Sequence, residues 1–427
     1  MNKKYFYLTL WTFIYFVIEY LLEIYFFSPK NNFFWCVENN FFDEISAYFP
    51  IHCDEGPYQL ASQNLEFFFS ESNPYQKRPL YIIAIFILRK IIEFVTLGMF
   101  SEYLNFRIAM IIIQYFILYF IGLNSIKFFK LERFNIHSLS ILFLIFSIPN
   151  IRWNLFFPSH GNFTLLLMLF TLNKLKKISN LNNQNMFSFF IFLGIFSLFH
   201  RSSIFYGLIA LLIVFFNHSK KIKEVLSNLF IMLTPTAVYE LLYLVINYES
   251  FDWNKEIYGQ FYWFLEFLLR RDYQYQLQDD FCQEIDTFLK CNFEITKYFL
   301  NYFAVGFIIF IVLLFRNKKL IKDMQFHNML VISLFIYIIW TFQGYYPNFR
   351  FINYSIGYFL FLSTIYIYSE YEKSILLGFS ILIYQFSILY LEVFSITYFK
   401  PNILTYLAIF TFIIYIIFKT KILDNSE

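Results

Sequence analysis

Apolar stretches recur along the whole chain at about the length a helix needs to cross a hydrocarbon core, and short polar breaks divide them. Inside a bilayer every backbone amide has to be bonded within its own segment, so about 20 apolar residues between polar breaks mark a helix. The stretches are residues 5–27, 107–126, 137–150, 161–175, 186–199, 202–217, 224–247, 297–315, 326–343, 350–368, 373–391 and 402–418. Composition agrees, since 59% hydrophobic and 15% charged residues stand far from the roughly 45–50% and 25% of soluble domains. The expected fold is an all-α integral membrane protein, a single polytopic domain over residues 1–427 with about twelve transmembrane helices. The 64 Phe residues accompany abundant Ile, Asn and Lys, the signature of an AT-rich coding sequence rather than of an aromatic binding platform.

Charge gives the orientation. With both termini cytoplasmic, the inner segments hold Lys3, Lys4, Lys127, Lys130, Arg133, Lys174, Lys176, Lys177, Lys220, Lys221, Lys223, Arg316, Lys318, Lys319, Lys322, Lys373, Lys419 and Lys421, as the positive-inside rule requires of short loops. Two long extracytoplasmic loops follow, residues 28–106 and 248–296. Residues 79–99 are apolar but carry Arg89, Lys90 and Glu93 at mid-length. An arginine at the centre of a span costs about 2.5–3.5 kcal/mol, and counting this stretch as a span would put every later lysine cluster outside. A helix lying along the interface avoids both penalties, and a distorted span is the alternative. The first stretch has the Lys3-Lys4 start of a secretory signal, but its core is long and aromatic and Phe26-Phe27-Ser28-Pro29 offers no small-residue cleavage site. An uncleaved anchor is expected. On it Glu19 and Glu23 share a face, placed for burial or snorkelling more readily than for chemistry.

All four cysteines fall in the two long outer loops, Cys36 and Cys53 in the first, Cys282 and Cys291 in the second. In an oxidising compartment they are disulfide candidates that would staple the loops; free thiols are the alternative, and the spacing lacks the paired Cys-x-x-Cys of a zinc site. The second loop also carries Trp253, Tyr258, Tyr262, Trp263, Arg270 and Arg271, an amphipathic strip suited to headgroups.

The first loop concentrates the chemistry. It reads Asp54-Glu55-Gly56-Pro57-Tyr58-Gln59-Leu60-Ala61 and closes on Lys77-Arg78-Pro79-Leu80-Tyr81. On a helical reading Asp54, Tyr58 and Ala61 lie on one side, at spacings of four and three. Moving a sugar from a phosphate-linked carrier to a hydroxyl or amine takes a carboxylate to accept the acceptor's proton and a cation to hold the departing phosphate. Arg78, with five fixed donors, suits a phosphate, and Lys77 is its neighbouring substitute.

This order, an Asp-Glu-x-x-Tyr-small segment followed by a basic residue ahead of Pro-Leu, resembles the first extracytoplasmic loop of glycosyltransferase superfamily C, the polyprenyl-phosphate-sugar enzymes of the aminoarabinose and protein mannosyltransferase type. The second proline of the family's basic-Pro-Pro-Leu is missing. The resemblance implies interfacial helices in this loop, Asp54 as catalytic base with Glu55 in support, and Tyr58 and Arg78 at the donor. Tyr346-Pro347-Asn348-Phe349-Arg350 resembles the family's Pro-x-Arg-Tyr segment, which implies that Arg350 contacts the donor phosphate. Relatives often place a basic residue before a small one where His200-Arg201-Ser202-Ser203 stands, making the His200-Arg201 pair either cavity-lining or a headgroup contact. Many place an acid in the second outer loop, where this chain has none between Ile151 and Asn162; His160 or Asn162 is the hydrogen-bonding substitute.

Asp43-Glu44 is a rival acidic pair in the first loop, and Asp43 with Asp54 could share a divalent cation, Mg or Mn, as metal-dependent relatives do. No Gly-rich phosphate loop and no internal repeat is visible, and no nucleic-acid partner is expected. The expectation is an inverting glycosyltransferase of the plasma or inner membrane, acting in the cell envelope on a lipid, glycan or protein acceptor. A multi-span transporter or lipid-linked glycan flippase, which would hold its ionisable residues on the spans, and an O-antigen polymerase or ligase, which would centre on the 248–296 loop, are the alternatives.

Overall fold

The computed structural model describes residues 3–26, 55–63, 78–131, 134–155, 161–176, 183–218, 222–246, 303–342, 353–389 and 403–424. All regular structure among the described residues is helical: α1 Lys3–Phe26, α2 Glu55–Gln63, α3 Pro79–Val95, α4 Glu102–Phe128, α5 Ile136–Phe146, α6 Pro149–Asn154, α7 Gly161–Leu175, α8 Asn183–Ser197, α9 Ser202–His218, α10 Ile222–Ile246, α11 Ala304–Arg316, α12 Met324–Phe342, α13 Tyr358–Ile367, α14 Ile375–Leu389 and α15 Ile403–Asp424. A helix therefore lies over each of the twelve apolar stretches. Three, α1 over Lys3–Leu22, α4 and α10, are long and apolar enough to cross a membrane by length and composition. The others are shorter, and α13 is bracketed by π-helical turns at Asn353–Gly357 and Tyr368–Glu372.

The chain falls into two compact units, Met1–Asn124 with Ile151–Phe251, and Ser125–Asn150 with Asp252–Glu427. In the first, contacts fix the relative senses of α1, α4, α7, α8 and α10. The Tyr115 hydroxyl donates to the Thr9 carbonyl at 3.3 Å, while Arg107 lies within electrostatic reach of Tyr20; α1 and α4 are antiparallel. Asn162 Nδ2 donates to Gln114 Oε1 at 3.3 Å and Asn173 Nδ2 to the Asn124 carbonyl at 2.8 Å, so α4 and α7 are parallel. The chain leaving α4 must accordingly be carried back before α7 begins.

Rings set the next pairing. Phe163 packs on Phe199 at 4.8 Å and Phe170 on Phe189 at 5.7 Å, making α7 and α8 antiparallel. Helices α8 and α10 run parallel and close together because position 194 is glycine. A Cβ there would run into the Met232 carbonyl and come within 3.0 Å of Pro235 Cδ. Beyond it Ser197 Oγ and Thr236 Oγ1 share a hydrogen bond, and Arg201 pairs with Glu240.

These senses segregate the charges of this unit. Lys3, Lys4, Lys174 and Lys223 sit at one end, while Arg78, Arg107, Arg152, His200 and Arg201 gather at the other. In the second unit α14 and α15 form an antiparallel hairpin, with Ser380 Oγ donating to the Ala408 carbonyl at 2.9 Å. Glu372, at the foot of that hairpin, accepts from Asn317 Nδ2 at 3.1 Å and pairs with Lys419 at 3.4 Å. Asp323 accepts the hydroxyls of Tyr366 and Tyr371 at 2.8 and 3.1 Å. Arg316, Lys318, Lys319, Lys322, Lys373 and Lys419 surround this end.

Candidate functional site

The arginine end of the first unit is built on α2 and α3. In α2 the residues at 58, 61 and 62 are buried, Tyr58 at 2%, Ala61 at 1% and Ser62 at 0% exposure, which is the face the spacing anticipated. Pro79 occupies the first helical position of α3, where its missing amide costs nothing and its fixed φ suits the helix. Arg78 therefore stands as the last non-helical residue, and its guanidinium Nη1 donates to the Tyr58 hydroxyl. This hydrogen bond joins the Asp54–Ala61 and Lys77–Tyr81 segments of the sequence.

Beneath it Tyr81 packs edge-on to Tyr58 at 5.6 Å and to Phe199 at 5.1 Å, and its hydroxyl points to Met110 Sδ at 3.6 Å. The backbone follows the same route, since Leu80 N donates to the Leu198 carbonyl at 3.1 Å. The Arg78-Pro79-Leu80-Tyr81 segment is thus docked on the turn between α8 and α9. Along α3, Pro79, Tyr81, Ile82, Ile85 and Arg89 form the buried stripe. Arg89, whose charge argued against a span, turns inward and donates to Ser62 Oγ at 3.3 Å, whereas Lys90 and Glu93 pair at 2.8 Å on the exposed side.

The α8–α9 turn carries the His200-Arg201 pair, which the sequence leaves between lining a cavity and meeting headgroups. His200 is 3% exposed. Burial pushes its imidazole well below the ordinary histidine value and the nearby Arg78 charge adds to the effect, so the ring is neutral at pH 7. Ser202 N donates to His200 Nδ1 at 3.2 Å, with Ser202 Oγ on the same nitrogen. That leaves Nε2 as the protonated, donating nitrogen. A buried histidine between two apolar helices looks structural in sequence, and only its nearness to Arg78 says otherwise. Arg201 follows it but turns to Glu240 on α10.

A second polar centre lies at the same end. Arg152 Nε donates to Glu19 Oε2 at 2.8 Å, with side chains 4% and 6% exposed, and the Tyr15 hydroxyl bonds the same carboxylate. Residues 151–154 belong to α6 rather than to the loop expected from Ile151 onward, because Pro149 opens a further helical turn. Arg107, 1% exposed, was hidden in the sequence as the first residue of an apolar stretch.

Among the sequence candidates the structure thus brings together Tyr58 and Arg78, and sets Arg201 in an ion pair. Glu55 opens α2, its side chain lying outside what is described. Asp54, Lys77, Asp43, Glu44, His160, Arg350 and the cysteines Cys36, Cys53, Cys282 and Cys291 lie outside the described residues, as does the aromatic strip of the 248–296 loop. Among the described residues no group of three or more His, Cys, Asp or Glu side chains is placed to hold a metal ion. No protein-family model matches the sequence, and no curated protein or solved structure matches it.

Proposed function

We propose that the chain is a multi-pass membrane glycosyltransferase of the superfamily C type, which moves a sugar from a polyprenyl phosphate to an acceptor at the extracytoplasmic face. The observation that carries this reading is the hydrogen bond from Arg78 to Tyr58. It brings the cation of the Arg-Pro-Leu segment to Tyr58, four residues along the sequence from Asp54, and so supports reading the two motifs together. Asp54 deprotonates the acceptor as it attacks the anomeric carbon, Glu55 supports it, and the configuration inverts. Arg78 holds the phosphate that leaves, with Lys77 as a further cation, and a guanidinium fixed by a neighbour loses less freedom on binding.

The topology that goes with it has twelve crossings, both termini inside and α3 lying along the outer interface. Support comes from the helix senses of the first unit, where α1, α8 and α10 run one way and α4 and α7 the other. It comes also from the lysine ends of the two units, which the positive-inside rule places in the cytoplasm. That puts the Arg78 end of the first unit outside. The proton-acceptor role tests directly: Asp54→Asn should abolish transfer and leave donor binding intact, and an Asp54→Asn protein with full transfer activity would sink the assignment.

The Glu19–Arg152 pair favours a second reading, since ionisable groups buried on membrane helices often mark a transport route. A transporter would move a labelled polyprenyl-linked sugar across a vesicle without cleaving it. Release of the lipid phosphate separates the two.

A further inference from the structure

The lysine end of the second unit is drawn together by its own acids. Asp323 accepts the Tyr366 and Tyr371 hydroxyls at 2.8 and 3.1 Å and the Gln325 amide at 2.7 Å. Glu372 accepts from Asn317 Nδ2 at 3.1 Å and pairs with Lys419 at 3.4 Å. These bonds carry separate pieces of chain to one place. Asn317 precedes the 3-10 turn Lys318–Lys322 and Glu372 precedes Lys373, so Lys318 and Lys373 flank a single hydrogen bond. Tyr366, held by Asp323, packs on Phe128 and Phe129 at 5.7 and 6.3 Å, which brings in the end of α4 with Lys127 and Lys130.

The same bonds turn the acids inward and leave the lysines on the surface. Lys127, Lys130, Lys318, Lys319, Lys322 and Lys373 are exposed, with Glu370 as the exposed acid beside them. None of these lysines has a carboxylate partner among the described residues. Lysines of the first unit differ, since Lys174 Nζ lies over the Phe170 ring at 5.6 Å, and Lys4 and Lys176 also engage other residues. Lys130 is moreover held left-handed, at φ 51°, where the end of a helix ordinarily takes glycine or asparagine. A cation is kept there although the backbone favours another residue.

Apolar side chains between the lysines indicate what the cations meet. Leu320 is fully buried and seats the turn, but Ile321 and Met324, three residues apart on one edge, are more than half exposed. Ile136 and Ile375 are too. Ile375 follows Lys373 by two residues, and Ile136 adjoins His137, whose ring lies 5.3 Å from that of Tyr368. A soluble polyanion gains nothing from such side chains. The headgroup layer of a bilayer takes both kinds, apolar groups toward the acyl boundary and ammonium groups on the phosphates.

We propose that this end of the second unit is a docking surface for anionic phospholipid headgroups. The Lys318–Lys322 turn lies in the headgroup layer with Ile321 and Met324 dipping beneath it, and Lys127, Lys130 and Lys373 contact lipid phosphates around it. The surface is independent of Arg78 and of the glycosyltransferase reading, and it selects the lipid that surrounds the second unit.

The test mixes the full chain in dodecyl maltoside with equal amounts of phosphatidylglycerol and phosphatidylcholine of identical acyl chains, reisolates the protein and quantifies the lipid retained. A lysine at an anionic surface is worth about fivefold in affinity, so wild type should retain phosphatidylglycerol at least about tenfold over phosphatidylcholine. That preference should largely vanish between about 0.1 M and about 0.5 M salt, as the screening length falls by roughly half. Lys318→Gln/Lys319→Gln/Lys322→Gln should bring the two lipids close to equal, while arginine at the same positions keeps the preference. Lys4→Gln/Lys174→Gln/Lys176→Gln, which removes as much charge from the first unit, should stay near wild type. Ile321→Ser/Met324→Ser should lower retention severalfold with every charge in place. Thermal unfolding in detergent without lipid should be unchanged or raised in the Lys318–Lys322 variant, because like charges are removed, and this separates lost docking from lost fold. Equal retention of the two lipids by wild type, equal losses in the two triple glutamine variants, or an Ile321→Ser/Met324→Ser protein indistinguishable from wild type overturns the proposal. Polyaspartate binding in place of the lipid also overturns it and makes the partner a soluble acidic chain.

Discussion

Breaking the Glu19–Arg152 pair should cost far more than removing it whole. At 4% and 6% exposure neither charge has water to fall back on, so the small values of exposed ion pairs, about 0.2–1 kcal/mol, do not apply. Arg152→Met leaves the Glu19 carboxylate among apolar side chains with the Tyr15 hydroxyl, and Glu19→Leu strands the guanidinium. Losing one member of a buried pair costs about 3–5 kcal/mol, whereas replacing both by apolar groups of similar volume is neutral or stabilising by about 1–4 kcal/mol. A double-mutant cycle on Glu19→Leu and Arg152→Met, read by equilibrium unfolding in mixed micelles, should therefore show two damaged single variants. The double variant should recover to near wild type, with a coupling energy of about 3 kcal/mol or more. Single variants within about 0.5 kcal/mol of wild type, the range of ordinary surface substitutions, would show that water reaches the pair and would refute the argument. If the recovered double variant is inactive, the pair is kept for function.

Two further consequences are independent of that pair. Because the folded-state value of His200 lies well below 6.5, folding favours the neutral ring. That stability is fully present above the unfolded value near 6.5 and is lost as pH falls from there toward the folded value, by at most about 1.4 kcal/mol per pH unit. Unfolding midpoints between pH 7 and 5 should fall for wild type and flatten for His200→Gln; equal slopes would remove His200 as the titrating group. Gly194→Ala should destabilise by about 1–3 kcal/mol, because the new methyl meets the Met232 backbone and Pro235, while Gly378→Ala, whose Cβ would lie 3.2 Å from the end of the Tyr368 ring, should cost less. Unfolding curves of the two variants, matched in detergent and protein concentration, give the comparison.

Much of the helix order was legible because hydrocarbon length and backbone satisfaction leave few options, and each apolar stretch has its helix. Their ends were less so. Helix α4 starts at Glu102 rather than at 107 because an amphipathic first turn can precede the apolar run, and α13 starts at Tyr358 after a π-turn no local pattern announces. Pairings were invisible for a different reason. Glu19 and Arg152 are 133 residues apart, Arg201 and Glu240 are 39 apart, and only the parallel seating of α8 on α10 brings the latter together. Of the site, Tyr58 and Arg78 were legible because a motif carries them. Arg107 was obscured because a polar residue at the edge of an apolar helix reads the same whether it meets solvent or a buried partner.

Donor binding tests the central claim most directly. Wild-type protein and Arg78→Ala, each in nanodiscs, should be titrated with polyprenyl-phosphate sugars while released lipid phosphate is followed. The account predicts that wild type binds a donor and releases the lipid phosphate, and that Arg78→Ala loses both. A wild-type protein that binds no lipid-linked sugar, or an Arg78→Ala protein that binds and turns over the donor unchanged, would contradict it.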